Sequence, residues 1–202
     1  DDAIALGLLW WAVAAIGGVQ LTSAGYLHAK ALLGQWLLAR AWQETQRTGV
    51  PVQPWPWADL HPIARLRAPA QGVERLVLEG ANGRTLAWGP GHLESSAAPG
   101  EAGNAIVTGH RDTHFAFLRA LAHDDTLVVE TTSGSQRAYR VRETRIMDHR
   151  MLRLPDGDGE HLLTLVTCYP FDAIDPGTPL RYVVVAEAQQ PSAFRFSAKT
   201  SR

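Results

Sequence analysis

From position 63 onward the chain consists of short apolar or alternating segments separated by turn-forming residues. Segments of this length and pattern are typical of β-strands. Seven of them can be delimited, at residues 63–67, 73–78, 104–108, 126–131, 137–146, 161–167 and 181–188. Short helical insertions are expected at residues 85–89, 115–121 and 150–154. Because a closed sheet leaves no exposed edge, the pattern favours a mainly β fold whose strands form a closed or nearly closed barrel.

The N-terminal region has a different composition, since residues 3–19 carry no charged side chain. A helix over this run would be about 26 Å long, which is short for a bilayer, but the apolar character continues less strictly to Leu27. We therefore expect residues 1–27 to form a transmembrane anchor. A cleaved signal peptide and a buried helix of a soluble protein are the alternatives, and the first would need a cleavage site that the sequence does not clearly show.

Residues 28–59 connect this segment to the strands. Residues 29–46 place apolar side chains at three- and four-residue spacing, which predicts an amphipathic helix. We expect it to pack on the domain as a core-covering helix; a juxtamembrane helix that lies against the barrel or the lipid surface is the alternative. The run of proline and tryptophan at residues 49–57 ends this helix, because proline lacks an amide donor and biases the preceding residue away from helix. We expect these tryptophans to anchor the linker on the domain and not to stack on a ligand. The barrel domain is expected at residues 60–202.

The chain has a single cysteine, Cys168, just after the predicted strand at residues 161–167. His110 precedes it by 58 positions and Arg181 follows it by 13. A thiolate is a strong nucleophile, an imidazole can carry a proton to a leaving amine, and a guanidinium can hold an oxyanion without losing its own charge. The order His, Cys, Arg differs from that of papain-like proteases, and the caspase signature is absent. All three residues lie at strand ends, which can meet at one mouth of a barrel.

The segments around these three residues resemble the signature segments of the sortases. The run TLVTC at residues 164–168 matches the sortase pattern TLxTC, TGHR at residues 108–111 resembles the sortase histidine segment, and LRYVV at residues 180–184 resembles the strand that carries the sortase arginine. The cysteine context TCYPFDAIDPG and the helix pattern at residues 29–42 are similar to the sortases of Gram-negative proteobacteria, often called class GN.

This resemblance implies an eight-stranded barrel and a cysteine transpeptidase that needs no cofactor. Cys168 would attack the carbonyl of an LPxTG-like C-terminal sorting signal and form a thioester. His110 would protonate the leaving amine and deprotonate the incoming one, while Arg181 would bind the substrate backbone and the oxyanion. Thr167, next to the nucleophile, would orient the substrate or the cysteine backbone.

The resemblance also implies partners and a location. The substrate would be a protein with a C-terminal sorting signal, and no residue identifies the amine acceptor. The N-terminal helix would hold the enzyme in the inner membrane as a single-pass protein, with the barrel facing the periplasm. Specificity is expected in residues 147–160 and in the Pro-Phe-Asp segment at residues 170–172, because loops on a rigid scaffold generally carry it.

Two other functions are compatible with parts of this pattern. A thiol peptidase that only hydrolyses would use the same three residues, and amide exchange with hydroxylamine or a short amine would distinguish it from a transpeptidase. A membrane-tethered barrel that binds peptides without catalysis would need none of the three. The presence of Cys168, His110 and Arg181 together argues against the silent barrel.

Several other kinds of site are disfavoured. A formal net charge of −1 and the lack of a basic stripe argue against nucleic acid as a partner. No zinc-ligand spacing occurs, and the Asp-Gly run at residues 156–160 lacks the full calcium-loop pattern, so no metal is expected. The histidines that could compete with His110 are His114, His123, His149 and His161. His114 is the nearest, but it lacks the Gly-His context.

Overall fold

The computed structural model describes residues 2–155, 157, 159–175 and 177–189. Within the first helix it describes the side chains at positions 10, 11, 17–20, 22 and from 25 onward. The chain begins with the long helix α1 (Asp2–Thr48). The strands that follow are β1 (Pro62–Ala68), β2 (Val73–Glu79), β3 (Gly91–His92), β4 (Gly103–Thr108), β5 (Thr126–Thr131), β6 (Gln136–Asp148), β7 (His161–Tyr169) and β8 (Leu180–Ala188). A one-turn helix α2 (Gly83–Leu86) and 3-10 helices at Pro69–Gln71, Ala116–Ala120 and His149–Met151 lie between strands.

The eight strands form a closed barrel in the order β1-β2-β3-β4-β7-β8-β6-β5, and pairing of β5 with β1 closes it. The predicted eight-stranded barrel is therefore confirmed. β4 and β7 are parallel, whereas β8 is antiparallel to β7. The C-terminal ends of β4 and β7 and the N-terminal end of β8 consequently lie at one end of the barrel, which we call the upper rim.

The interior is filled by alternate residues of the strands, as the pleat requires. On β7 and β8 the inward side chains include Leu163, Leu165, Val184 and Ala186. The outer face of the same strands is also covered, because Leu152 and Leu154 pack over Val166, Val183 and Val185. Burial on both faces explains why β7 is an almost continuous apolar run and not a simple alternation.

The C-terminal half of α1 packs against the outside of the barrel. Leu38 joins Leu60 and Leu78 in a second buried cluster, and the Trp42 side chain is completely buried beneath the Arg65 guanidinium, 5.6 Å from the ring centroid. Close contact is possible at Gly34 because a Cβ there would collide with the Trp88 ring. The helix expected at residues 29–46 is thus present and packs on the barrel.

Helix α1 ends where the sequence predicts. Gly49 follows its last residue with φ of +72°, and the Gly49 amide donates to the Thr45 carbonyl at 2.8 Å. A glycine past the helix end tolerates this left-handed conformation better than other residues. In the linker, the rings of Trp55 and Trp88 lie 5.0 Å apart, which agrees with the predicted anchoring of the linker, whereas Trp57 is exposed.

The expected division at residue 27 is not a structural boundary, because α1 continues through it without a break. Where side chains are described, we find no helical stretch that has both the length and the apolar character required to cross a bilayer. The transmembrane anchor predicted for residues 1–27 is therefore not supported, and many of its side chains lie outside those described.

All seven predicted strands are present, and each bound differs by no more than two residues. The strand that the sequence did not reveal is β3, which has two residues and is too short to show a periodicity. The expected helices at residues 85–89, 115–121 and 150–154 correspond to α2 and to two of the 3-10 helices, with shifted bounds.

Candidate active site

Cys168 and Arg181 are cross-strand neighbours at the upper rim. The register pairs Cys168 of β7 with Arg181 of β8. Since Val166 and Val183 belong to the outer cluster, side-chain alternation puts Cys168 and Arg181 on the outer face as well. Cys168 is half-buried and is a free thiol. The thiol and the guanidinium are therefore held side by side by the sheet itself.

His110 lies at the same rim as this pair, on the other side of β7. The parallel register matches Thr108 with Val166, and the Gly109 amide continues it by donating to the Val166 carbonyl at 3.1 Å. Continued by two residues beyond Thr108, this register would bring His110 level with Cys168, and the His110 side chain is exposed. The three predicted residues thus lie at the same rim, with His110 just past the end of β4, Cys168 near the end of β7 and Arg181 near the start of β8.

Gly109 turns the chain tightly over the core at this point. A Cβ at Gly109 would lie 2.9 Å from the Phe115 ring, which belongs to the barrel interior. The Phe115 amide in turn donates to the His110 carbonyl at 2.9 Å. The glycine before the histidine is therefore required for the close packing that fixes the start of the histidine segment, residues 109–115.

Thr167 supports the histidine segment from inside. Its side chain is only 2% exposed, and its hydroxyl donates to the Gly109 carbonyl at 2.7 Å. Alternation along β7 puts it on the inward face with Leu165, opposite to the face of Cys168. The hydroxyl therefore acts on the residue before His110, and not on the face where a substrate would meet the thiol.

The Arg181 guanidinium is oriented by its own loop. Its Nη1 donates to the Thr178 carbonyl at 2.7 Å and to the Leu180 carbonyl at 2.9 Å. Within the described part of the chain, its Nε and Nη2 make no hydrogen bond to the protein. A cation fixed on one side, with donors free on the other, is suited to stabilising an oxyanion that forms beside Cys168.

Arg111 is a residue at this rim that the sequence analysis did not single out. It is 7% exposed and donates three hydrogen bonds to the loop between β7 and β8, residues 170–179. The sequence does show a basic residue directly after the histidine of TGHR, but the hydrogen-bond partners of Arg111 lie more than 60 positions away in the chain. Sequence alone could not indicate that it would be buried.

His114, the rival to His110, faces a different part of the surface. It lines a cavity of about 730 Å³ between α1 and the barrel, together with Trp42, Arg65 and Arg75. Burial lowers the pKa of His114 below its usual range, and the neighbouring Arg75 and His110 lower it further, against a smaller opposing effect of Asp112. His114 thus favours the neutral form. This arrangement supports His110 as the histidine that serves Cys168.

The remaining candidate histidines have other partners. His123 Nδ1 lies 3.0 Å from Asp124 Oδ2, and His161 contacts the Glu101 carbonyl at the end of the barrel away from Cys168. His149 contacts the Pro179 carbonyl through Nδ1 at 3.0 Å.

The loop between β6 and β7, residues 149–160, covers the outer face that leads to Cys168. Leu152 and Leu154 pack on it, and Asn104 Nδ2 donates to the Pro155 carbonyl at 2.8 Å. The loop therefore covers the part of the outer face that adjoins Cys168. Asp156 and Asp158 of the Asp-Gly run lie outside the described residues, and the residues that are described contain no cluster of acidic, histidine or cysteine side chains that could hold a metal.

A family model, a related protein sequence and solved structures all indicate the same family. The family model for the Sortase domain matches residues 66–189, which is more than half of the chain. Sortase D of Bacillus subtilis (strain 168) is 32% identical over 122 residues, which are 59% of this chain and 60% of that protein. The chain therefore matches less than two thirds of that relative's length.

Solved structures share the fold. Sortase A from Corynebacterium diphtheriae superposes with a TM-score of 0.59 at 26% identity, covering 67% of this chain and 65% of that one. Sortase C-1 from Actinomyces oris gives a TM-score of 0.54 at 27% identity, covering 64% and 75% of the two chains. A Sortase D5 transpeptidase of Clostridium perfringens gives a TM-score of 0.63 at 21% identity, covering 78% and 99%, and shows the fold alone.

Proposed function

This chain belongs to the sortase family, and on that premise we propose that it is a cysteine transpeptidase that cleaves an LPxTG-like C-terminal sorting signal and transfers the protein to an amine. The proposal is supported by the cross-strand pair Cys168 and Arg181 and by the position of His110 two residues past the end of β4, the strand beside β7. Each residue supplies a function that acyl transfer needs, namely a nucleophile, a proton carrier and an oxyanion donor.

The first half-reaction forms the acyl-enzyme. The Cys168 thiolate attacks the scissile carbonyl carbon, and the carbonyl electron pair moves to oxygen, where the donors of Arg181 stabilise the negative charge. As the tetrahedral intermediate collapses, the carbon–nitrogen bond breaks and the protonated His110 gives its proton to the leaving amine. The products are a thioester on Cys168 and the released C-terminal peptide.

The second half-reaction resolves the thioester. The acceptor amine attacks the thioester carbonyl, His110 takes a proton from that amine, and Arg181 again stabilises the oxyanion. Collapse breaks the carbon–sulfur bond, forms the new amide and returns the cysteine to thiolate. Water competes for the same thioester, so a protein that only hydrolyses would share the first half-reaction and differ in the second.

The finer assignments rest on the motif context. We assign the chain to the Gram-negative class on the run TCYPFDAIDPG after the nucleophile, with a partner protein that carries a C-terminal sorting signal as its substrate. We place it at the inner membrane with the barrel on the periplasmic side. Fractionation of cells that express the full protein, followed by protease treatment of intact spheroplasts, tests this location. Protection of the barrel from the protease would overturn it.

Mass spectrometry of the protein with a library of LPxTG-like peptides tests the activity. Peptides are incubated with wild type and with Cys168→Ala, each with and without a short amine such as glycinamide. We expect a thioester adduct on Cys168 and an amine-dependent exchange product, both absent from the variant. Cleavage without any exchange at high amine concentration would indicate a hydrolase. No adduct with any peptide, from a folded protein whose thiol reacts with iodoacetamide, would contradict the proposal.

A further inference from the structure

We propose that Arg111 is a positioning residue that fastens the loop after Cys168 to the histidine segment. The loop and the histidine segment lie on either side of the site, and Arg111 fixes their relative position. This inference rests on the proposed function, since it concerns the same site. The loop is the β7–β8 loop, residues 170–179, of which Pro176 lies outside the described residues.

The clamp consists of three hydrogen bonds from one buried guanidinium. Nη1 donates to the Thr178 hydroxyl at 3.0 Å, and Nη2 donates to the Ala173 and Asp175 carbonyls, each at 2.6 Å. Among the described residues, Arg111 forms no salt bridge, so carbonyl and hydroxyl dipoles alone compensate its burial. Burying a charged group costs free energy unless hydrogen bonds compensate it. The Arg111 guanidinium can therefore stay buried only while the loop carbonyls and the Thr178 hydroxyl remain in place as acceptors.

The chemistry of the acceptors selects arginine over lysine. The three acceptors come from different residues of one loop and are reached by the two terminal nitrogens of a planar group. An ammonium has one nitrogen and would have to reach all three acceptors from a single point, without the rigid fork of the guanidinium. The clamp thus holds the middle and the end of the loop, from Ala173 to Thr178, through one side chain.

Thr178 connects the clamp to the other arginine of the site. Its hydroxyl accepts from Arg111, while its carbonyl accepts from Arg181 Nη1 at 2.7 Å. Arg111 directly follows His110 in the chain. A continuous chain of contacts therefore runs from His110 through Arg111 and Thr178 to Arg181.

The start of the loop has a separate anchor. The Phe171 ring lies 5.1 Å from the Tyr182 ring, and both pack against the barrel core. Loss of Arg111 would therefore free the remainder of the loop while the residues next to Cys168 stay in place. Ordering a loop before the substrate arrives removes an entropic cost from binding, so the clamp should act on peptide binding and alignment and not on the thiol itself.

Peptide kinetics and hydrogen exchange test this role, with variants at both ends of the Arg111–Thr178 bond. Arg111→Lys keeps the charge and loses the planar fork, and we expect kcat/KM for the peptide to fall about tenfold or more. Thr178→Val removes only the acceptor hydroxyl and should raise the peptide KM about threefold to tenfold, whereas Thr178→Ser should stay within about twofold of wild type. The rate of Cys168 alkylation by iodoacetamide should stay unchanged in all three.

Two further readouts separate the clamp from a general loss of structure. In the double variant the Thr178→Val change should add little to Arg111→Lys, because both remove the same link. Amide exchange over residues 170–179 should become faster in Thr178→Val at unchanged melting temperature. This second readout does not depend on turnover, so it tests the clamp even if no peptide is cleaved. Unchanged exchange in that variant, or equal losses of kcat/KM in the Ser and Val variants, would overturn the proposal.

Discussion

Cys168 of β7 and Arg181 of β8 stand directly opposite each other in an antiparallel ladder, with both side chains on the outer face of the barrel. Residues paired in this way have Cβ atoms about 4.5–5.5 Å apart. The spacing between the thiol and the guanidinium is therefore set by the backbone hydrogen bonds of two long strands. A catalytic pair held by a sheet is more precise than one held by loops, because its position does not depend on loop order.

Loss of the Arg181 donors should affect the chemical step. Replacing Arg181 with Gln removes the charge and the fork, and we expect kcat to fall about 10²-fold to 10³-fold, because the oxyanion loses its donor. Single-turnover formation of the thioester, followed by mass spectrometry, measures it. Arg84→Gln, at an exposed ion pair with Asp59, is the matched control and should leave kcat unchanged. Wild-type thioester formation in Arg181→Gln would exclude the oxyanion role.

Removal of the Thr167 hydroxyl should weaken both the fold and the site. Thr167→Val keeps the shape of the side chain but leaves the Gly109 carbonyl without its 2.7 Å partner. A buried polar group that loses its partner costs about 1–3 kcal/mol, so the free energy of unfolding should fall by that amount in urea titrations.

The serine at the same position provides the control for this effect. Thr167→Ser retains the hydroxyl and should recover most of the kcat that Thr167→Val loses through a displaced His110. Wild-type stability and wild-type kcat in Thr167→Val would show that the hydrogen bond from Thr167 to the Gly109 carbonyl contributes neither to stability nor to catalysis.

The strands could be predicted because their signal is local. Each apolar run is bounded by turn residues, so strands such as β5 are found at their true bounds from the sequence. The two-residue strand β3 has no such signal and forms only because its neighbours β2 and β4 are in place. At residue 27 the composition of the sequence changes and predicts a boundary, whereas helix α1 continues through this position without a break.

The identities of the candidate site residues could be predicted from the sequence, but their contacts with residues distant in the chain could not. His110, Cys168 and Arg181 are predicted from their chemistry and motif context, and the strand register places Cys168 beside Arg181, with His110 two residues past the end of the neighbouring strand β4. The Thr167 and Arg111 side chains form hydrogen bonds with residues 58 and more positions away in the chain. No local sequence pattern can therefore indicate these hydrogen bonds. Alternation along β7 would have put Thr167 inward, but it could not name the Gly109 carbonyl as its acceptor.

Close packing of α1 on the barrel should make Gly34 intolerant of a side chain. A Cβ at this position would collide with the Trp88 ring, so Gly34→Ala should destabilise the protein by about 1–3 kcal/mol through overpacking. Gly25→Ala is the matched change on the same helix, since an added Cβ there meets nothing within 4 Å. It should be neutral or stabilise by up to about 1 kcal/mol, because alanine is the better helix former. Thermal unfolding of the pair measures the difference, and equal melting temperatures would show that α1 does not pack at Gly34 as described.

Protonation of His114 should make the stability depend on pH. Burial, and next the charge of Arg75, lower its pKa in the folded state, so the unfolded chain binds this proton more readily. The free energy of unfolding should therefore be fully retained above about pH 6.5 and should decrease as the pH falls through and below that value. In His114→Gln this part of the decrease should disappear. Urea titrations at pH 7.5 and 5.5 measure it, with His28→Gln, an exposed position on α1, as the control that should keep the wild-type pH dependence. Parallel pH profiles for wild type and His114→Gln would show that this histidine is not held in its neutral form, and would weaken the case for His110 as the proton carrier of the site.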